Sequence, residues 1–580
     1  MKCQKSVVLA CLFFLTVFST AICAESGLFD QFIFTNQIGY IDNLPKIIKT
    51  CGFSHPKKFT ITDAANTIVM EGLVSVSPII DELTGSNIGT IDCSALKKPG
   101  EYNLEIQGYG KTKFSIVTAE KYTEALRLLQ KAFYLQRCGM DLGAYAGQYT
   151  YTACHRSTVF SLDETPLKEF NGGWHDAGDY GKYAGPGTVA AAGLLTAYEL
   201  FPQHLSSDST NIPESGNNIP DILDETAYEL DWLLTMQTKE GSVYHKLTSK
   251  KFAEAVMPQD DKLPLYVSDI STTATGDFAA VMAMAARIFK PFNAEKSNTY
   301  LAAAKKAHQY LIDHPKIEPP GGFKNNGIFE TGEYGDDDDT DERFWAAAEL
   351  YKTTGEKQYH DALELHFQKI YSFSPMGWQQ VKAGGFLAYL TMDSALQKPE
   401  ILAEMKEQIR KHFDYLLNKA TDKYGIGVHL PAYNDFFWGS NGAVAQIAFD
   451  FIAYAPYVAR NNAEKDLYIA AAYHNLNYLY GLNIHNLCFV TGLGKNYPVN
   501  IHHRPTLSDN IPGPVPGFLV GGPNNDREDE EVRRLTTTST PHARIYLDNR
   551  QSYSTNEVTI YWNAPLLAAT AYFTKPVAYT

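Results

Sequence analysis

The hydrophobic period of this chain changes once, near Thr118, and no other feature limits the fold as much. Before that point apolar residues alternate in short runs: Phe32-Ile33-Phe34, Lys46-Ile47-Ile48-Lys49, Phe59-Thr60-Ile61, Ile68-Val69-Met70, Gly89-Thr90-Ile91, Tyr102-Asn103-Leu104-Glu105-Ile106 and Lys113-Phe114-Ser115-Ile116. Seven short strands broken by Gly, Pro and Asp predict an immunoglobulin-like β-sandwich over residues 28–117. Beyond Thr118 apolar residues recur at three-four spacing, which predicts helices near 121–135, 187–201, 220–236, 275–289, 297–312, 341–353, 358–370, 383–394, 400–418, 440–458, 464–480 and 562–573. The intervening stretches 139–186, 241–274 and 484–556 exceed ordinary connections. Long loops in a compact domain usually carry function.

Residues 1–24 carry Lys2 and Lys5, an apolar run from Val7 to Phe18 and then small residues, the pattern of a removable secretory leader. A secreted or periplasmic protein without a membrane span is therefore expected. A net charge of −15 excludes nucleic acid as the natural partner, and 13% aromatic residues offer stacking faces to a neutral ligand. Three of the eight cysteines fall in the leader, leaving Cys51, Cys93, Cys138, Cys154 and Cys488. That number is odd and too small for a disulfide scaffold. Cys51 and Cys93 either pair within the sandwich or stay buried as thiols.

Gly172-Gly173-Trp174-His175-Asp176-Ala177-Gly178-Asp179-Tyr180-Gly181-Lys182-Tyr183 packs two carboxylates and an imidazole among four glycines. Glycines let a backbone turn tightly and approach a ligand. An Asx-rich cap and a calcium loop are the alternatives for this stretch. Far along the chain, Asp548 and Glu557 lie among Tyr546, Tyr553, Tyr561 and Trp562. An acid among apolar groups holds its proton, whereas a polar, glycine-lined carboxylate stays ionised, and glycoside hydrolysis needs that division. Between them, His502-His503-Arg504 can hold sugar hydroxyls. A capping glutamate is the other reading of Glu557, and an Arg504–Asp548 ion pair the other reading of those two residues.

Asp176-Ala177-Gly178-Asp179, Val490-Thr491-Gly492-Leu493-Gly494 before His502-His503-Arg504, Trp438-Gly439-Ser440-Asn441 and the Asp548/Glu557 segment together resemble glycoside hydrolase family nine, the inverting β-1,4-glucanases, in its branch with an N-terminal immunoglobulin-like domain. The resemblance spans the chain after the leader, with Cys488 departing from the Ser, Thr or Val usual in the family. It implies that the twelve helices wind into an (α/α)6 barrel over residues 119–580. It also implies an endo-β-1,4-glucanase acting on cellulose-like or mixed-linkage glucan as a monomer, with Asp179 as base, Asp176 sharing its water and Glu557 as acid. His502, Arg504 and Asp548 would bind hydroxyls, and Trp438 would be a sugar platform. Trp174, Tyr180, Tyr183, His245 and Trp562 are further candidates for the cleft wall. An exo-acting β-glucosidase or glucosaminidase and a non-catalytic glycan-binding protein are the competing readings.

Cys138, Cys154, His155 and His175 form C-x15-C-H-x19-H, a sufficient ligand set for tetrahedral zinc. A Cys138–Cys154 disulfide is the alternative in an exported chain. The family resemblance favours a structural zinc. The acidic run Asp336 to Glu342 precedes a predicted helix, whose dipole would favour its charge. By resemblance, Asp341 and Glu342 stand where relatives bind calcium.

Overall fold

The computed structural model describes residues 32–579 except 168–169, 421–424 and 431–435. The leader assigned to 1–24 and the expected start of the sandwich at 28 lie outside the described residues. The N-terminal unit has nine strands: β1 Ile33–Phe34, β2 Tyr40–Ile41, β3 Ile47–Cys51, β4 Lys58–Asp63, β5 Ile68–Leu73, β6 Ser75–Val76, β7 Ile88–Asp92, β8 Gly100–Ile106 and β9 Gly110–Val117. They form two sheets, ordered β1-β3-β7-β6 and β2-β9-β8-β4-β5, with β2 parallel to β9. Alternate residues such as Ile48, Ile61, Ile91, Leu104 and Ile116 close the core between the sheets. All seven predicted strands are present. The two additional ones, β2 and β6, span two residues each, too few to show alternation. Cys51 and Cys93 are free thiols. In the β3/β7 register Cys51 faces Ile88 while Ile47 faces Asp92, so the two cysteines stand at opposite ends of the ladder and cannot bond.

Among the described residues the second unit has twelve helices of ten residues or more: α1 Tyr122–Leu135, α2 Ala184–Leu200, α3 Asp221–Thr235, α4 Thr272–Phe289, α5 Ala294–Asp313, α6 Thr340–Thr354, α7 Lys357–Phe367, α8 Lys382–Thr391, α9 Pro399–Tyr415, α10 Ser440–Val458, α11 Asn462–Leu479 and α12 Ile560–Tyr572. Helices α2, α4, α6, α8, α10 and α12 pack in succession, and α12 closes the ring on α2. The other six cover it from outside, giving an (α/α)6 barrel. Composition explains the division. Inner helices are rich in buried alanine, as in Ala279, Ala280, Ala283, Ala285 and Ala286 of α4, and are apolar on every side. Outer helices carry one stripe, as with Ile401, Met405, Ile409 and Phe413 of α9. Inner helices approach until only glycine fits: a Cβ at Gly442 of α10 would stand 2.2 Å from the Trp562 ring of α12.

The long insertions are more ordered than their sequence suggests. Val159–Phe160, Pro166–Leu167, Lys182–Tyr183, Lys246–Thr248 and Leu265–Val267 form a small five-stranded sheet. It anchors the C-terminal end of the Asp176/Asp179 stretch. The sandwich sits firmly on the barrel, with Asn36 Nδ2 donating to Tyr122 Oη at 2.9 Å and to Asn477 Oδ1 at 2.7 Å.

Candidate active site

Asp176 and Asp179 occupy a turn closed by Asp176 N donating to Gly181 O at 3.0 Å. The turn is bolted to α12 where Ile560 N donates to Asp176 O at 2.9 Å. At Gly178, midway, a Cβ would fall 2.0 Å from the carbonyl oxygen of His502. The missing side chain lets the 502–504 segment lie on the turn, and Arg504 donates to Gly178 O from its backbone N at 2.9 Å and from Nη1 at 3.1 Å. Glu557 follows the helical turn Tyr553–Asn556 and pairs with His502 as a parallel bridge. Three segments that are remote in sequence thus meet.

Their electrostatics differ. Asp176 is buried, and that burial pushes its carboxyl up to about 7 against the pull of a hydrogen bond from Tyr334, with Asp179 adding to the rise. Tyr334 Oη lies 2.6 Å from Asp176 Oδ2, and Thr559 Oγ1 lies 3.2 Å from Oδ1. Glu557 is held well above the ordinary carboxylate range, first by burial and then by Asp179 and Asp176, while Arg504 and the Gly178 amide oppose them. Asp179 Oδ2 accepts from Gly181 N at 3.2 Å and from Tyr183 Oη at 3.4 Å, two donors suited to an anion. His502 lies on the same side; its Nδ1 donates to Arg550 O at 2.7 Å, which leaves Nε2 as an acceptor.

Other expected residues are placed differently. The Arg504–Asp548 ion pair is not formed. Arg504 Nε donates to Ala253 O at 2.7 Å, and Asp548 instead accepts from Val499 N at 2.9 Å, Asn500 N at 2.8 Å and Asn556 Nδ2 at 3.1 Å. Trp438 is 37% exposed at the rim, 5.3 Å from the Tyr553 ring. Trp562 is buried against Gly439 and Gly442. Trp174, His245 and Tyr180, also expected on the cleft wall, make interior contacts. Trp174 donates Nε1 to Glu225 at 2.8 Å, and buried His245 bridges Ser271 Oγ and Glu333 O at 2.8 and 2.9 Å. Tyr180 packs on the rings of His155 and His175, its hydroxyl on Val256 O. Tyr334 was missed altogether. Its ring also meets Tyr183 at 4.8 Å, Trp378 at 5.2 Å and Tyr561 at 6.4 Å, forming an aromatic wall beside the carboxylates.

Directly behind the turn, Cys138, Cys154, His155 and His175 converge into a group able to hold a metal ion. The sulfurs are 3.9 Å apart, so no disulfide joins them. Cys138 Sγ lies 3.7 Å from His155 Nδ1, Cys154 Sγ 3.8 Å from His175 Nε2, and the two ring nitrogens are 3.3 Å apart. His155 directs its outer nitrogen at Asp261 Oδ2, 3.2 Å away. Asp341 and Glu342 open α6 and are buried. Asp341 Oδ2 accepts from Val381 N at 2.7 Å and so caps α8. Nearby, Asp277 Oδ1 and Asp336 Oδ2 are buried without a hydrogen-bond partner, and burial, with repulsion from Asp341, raises both carboxyls, Asp336 to about 6.

A helical barrel that gathers Asp176, Asp179 and Glu557 beside an aromatic wall has the parts of a glycoside hydrolase. Residues 122–570 match the profile described as glycosyl hydrolase family 9, and residues 30–111 match that of the cellulase N-terminal ig-like domain; the chain belongs to glycosyl hydrolase family 9. It is 33% identical to a cellodextrinase of Butyrivibrio fibrisolvens, over 93% of this chain and 98% of that one. It is 35% identical to a xyloglucan-specific endo-beta-1,4-glucanase of Bacteroides ovatus, over 92% of each. Among solved structures, a Zn-binding triple mutant of the family 9 endoglucanase J30 superposes with a TM-score of 0.85 at 30% identity, covering 92% of this chain and 99% of that one.

Proposed function

We propose that the enzyme hydrolyses internal β-1,4-glucosidic bonds of soluble or amorphous glucans with inversion. Asp179 takes a proton from water as its oxygen attacks the anomeric carbon, and Glu557 gives its proton to the departing sugar oxygen as that bond breaks. Asp176 accepts the second hydrogen of the same water. The observation that carries this reading is the contrast between Glu557, held in its acid form by burial and two neighbouring carboxyls, and Asp179, which faces two donors. His502 Nε2, Arg504 and Trp438 would hold the sugars, while Asp548 would orient the helical turn that ends at Asn556. Purified protein should release reducing ends from a cellulose-like glucan, and Asp179→Asn should not. Binding of cello-oligosaccharides with no product over a day would overturn the proposal. Exo action remains the second reading, favoured by a relative named cellodextrinase, and a viscosity fall outpacing reducing-end release would exclude it.

The four-residue cluster suits zinc. A tetrahedron with Zn–S near 2.3 Å and Zn–N near 2.0–2.1 Å has edges of about 3.8 Å between sulfurs, about 3.6 Å between unlike atoms and about 3.3 Å between nitrogens, close to the separations found. Asp261 would supply the carboxylate that orients a ligating histidine. Bound zinc would cross-link the segments around residues 138, 155 and 175 and leave no position for water. The oxygen-only group Asp277, Asp336, Asp341 and Glu342 suits calcium. We further assign 1–24 as a leader, 28–117 as the sandwich and 119–580 as the barrel of a secreted or periplasmic monomer. Among the described residues no helix is long and apolar enough to cross a membrane.

A further inference from the structure

The sandwich grips the segment that leads to Glu557. Its turn 81–86 is closed by Thr84 N donating to Asp81 Oδ2 at 2.9 Å and faces residues 541–544. Ala543 N donates to Leu83 O at 3.0 Å, Arg544 Nη2 to Ser86 Oγ at 3.1 Å, and Arg544 Nε to Thr84 O. Gly85 lies so near Pro541 that a Cβ would come within 2.7 Å of its ring. Two residues after Arg544, buried Tyr546 donates its hydroxyl to Asn556 Oδ1 at 2.7 Å. Asn556 Nδ2 donates to Asp548 Oδ1 at 3.1 Å and to Asn500 O at 2.7 Å, and its carbonyl accepts from His502 N at 2.9 Å. The residue immediately before Glu557 is therefore fixed at four points, two of them supplied by the segment that the sandwich holds.

We propose that Arg544 is a positioning residue for Glu557, through which the sandwich sets the geometry of proton donation. The inference rests on reading Glu557 as the acid. A group that donates a proton in the transition state must reach the leaving oxygen within hydrogen-bond distance, and small displacements of such groups are costly. Arg544 touches neither substrate nor carboxyl, so its loss should appear only where protonation matters.

The test compares native enzyme, Arg544→Met, Tyr546→Phe and Glu557→Gln on cellotetraose and on 2,4-dinitrophenyl β-cellobioside, whose leaving group needs no proton. Arg544→Met should lose roughly tenfold or more in kcat on cellotetraose and less than about twofold on the aryl glycoside, with melting temperature close to native. Tyr546→Phe, at the other end of the relay, should show the same bias, so the test survives if the arginine variant fails to fold. Equal losses on both substrates, or no loss, would mean a brace without influence on the acid and would overturn the proposal. If Glu557→Gln itself lacks the bias, the acid assignment fails and the proposal falls with it, an outcome distinct from failure in the arginine variant alone.

Discussion

The phenol of Tyr334 donates to Oδ2 of Asp176 at 2.6 Å across 158 residues of sequence. Tyr334 has φ 47°, a left-handed conformation uncommon outside Gly, Asn and Asp, and the loop before it is secured from within. The Lys246 ammonium donates to Gly332 O and Asn325 Oδ1, both at 2.7 Å. Gly332 N donates at 3.1 Å to Tyr183 Oη, which in turn faces Asp179. One loop thus serves both aspartates.

Tyr334→Phe should keep the fold and lower kcat about tenfold, the order of one hydrogen bond to a charged group. Because the phenol opposes burial and holds the Asp176 carboxyl down to about 7, removing it should move the acid limb of kcat/KM to higher pH. An unchanged limb would show that Asp176 is not required in its ionised form.

The contribution of Asp176 to stability should fall as pH rises through the neutral range. An unfolded aspartate titrates near about 3.9, whereas folded Asp176 holds its proton to about 7. Between these values the unfolded chain has released a proton that the folded chain keeps, which favours unfolding as pH increases. Glu557, also raised, adds in the same direction. The melting temperature of Asp176→Asn, measured relative to native, should therefore climb between about pH 5 and pH 8. A constant difference across that range would refute this linkage.

Product should emerge with inverted anomeric configuration, because the proposed base acts through water and no carboxylate serves as nucleophile. Proton NMR of the first product formed from a β-glucan should show the α-anomer. Early β-anomer would end the Asp179 mechanism.

Purified enzyme should contain one equivalent of zinc, and Cys138 and Cys154 should resist alkylation until a chelator removes it. Removal should lower the melting temperature, since a ligand of the native state stabilises by mass action, and restored zinc should recover both stability and activity. A metal-free preparation with a Cys138–Cys154 bridge and full activity would disprove the zinc site and leave the carboxylate assignments standing.

The helices were legible because a three-four repeat of apolar residues persists over ten or more positions, as along α9. Strands β2 and β6 were not, since each is two residues long and, unlike β1 in Phe32-Ile33-Phe34, lies in no run of apolar residues. At the active site, the separate stretches holding Asp179 and Glu557 each advertised their chemistry through neighbours in sequence. Tyr334 had no such neighbour. Its role arises from a backbone twist and from contacts made by a loop far along the chain. Trp174 and Tyr180 flank the same motif yet make interior contacts, with Glu225 and with Val256 O, a direction that spacing alone does not give.

Gly178 leaves a mark on what variation this enzyme can tolerate. The carbonyl of His502 occupies the space of its absent Cβ, and the strand reaching Glu557 pairs with that same histidine. Any other amino acid at 178 would wedge apart two halves of a reaction encoded almost 380 residues from each other. A saturation library at this codon, selected on glucan, should return glycine alone, so the strictest requirement in the cleft falls on a residue that brings no functional group to it.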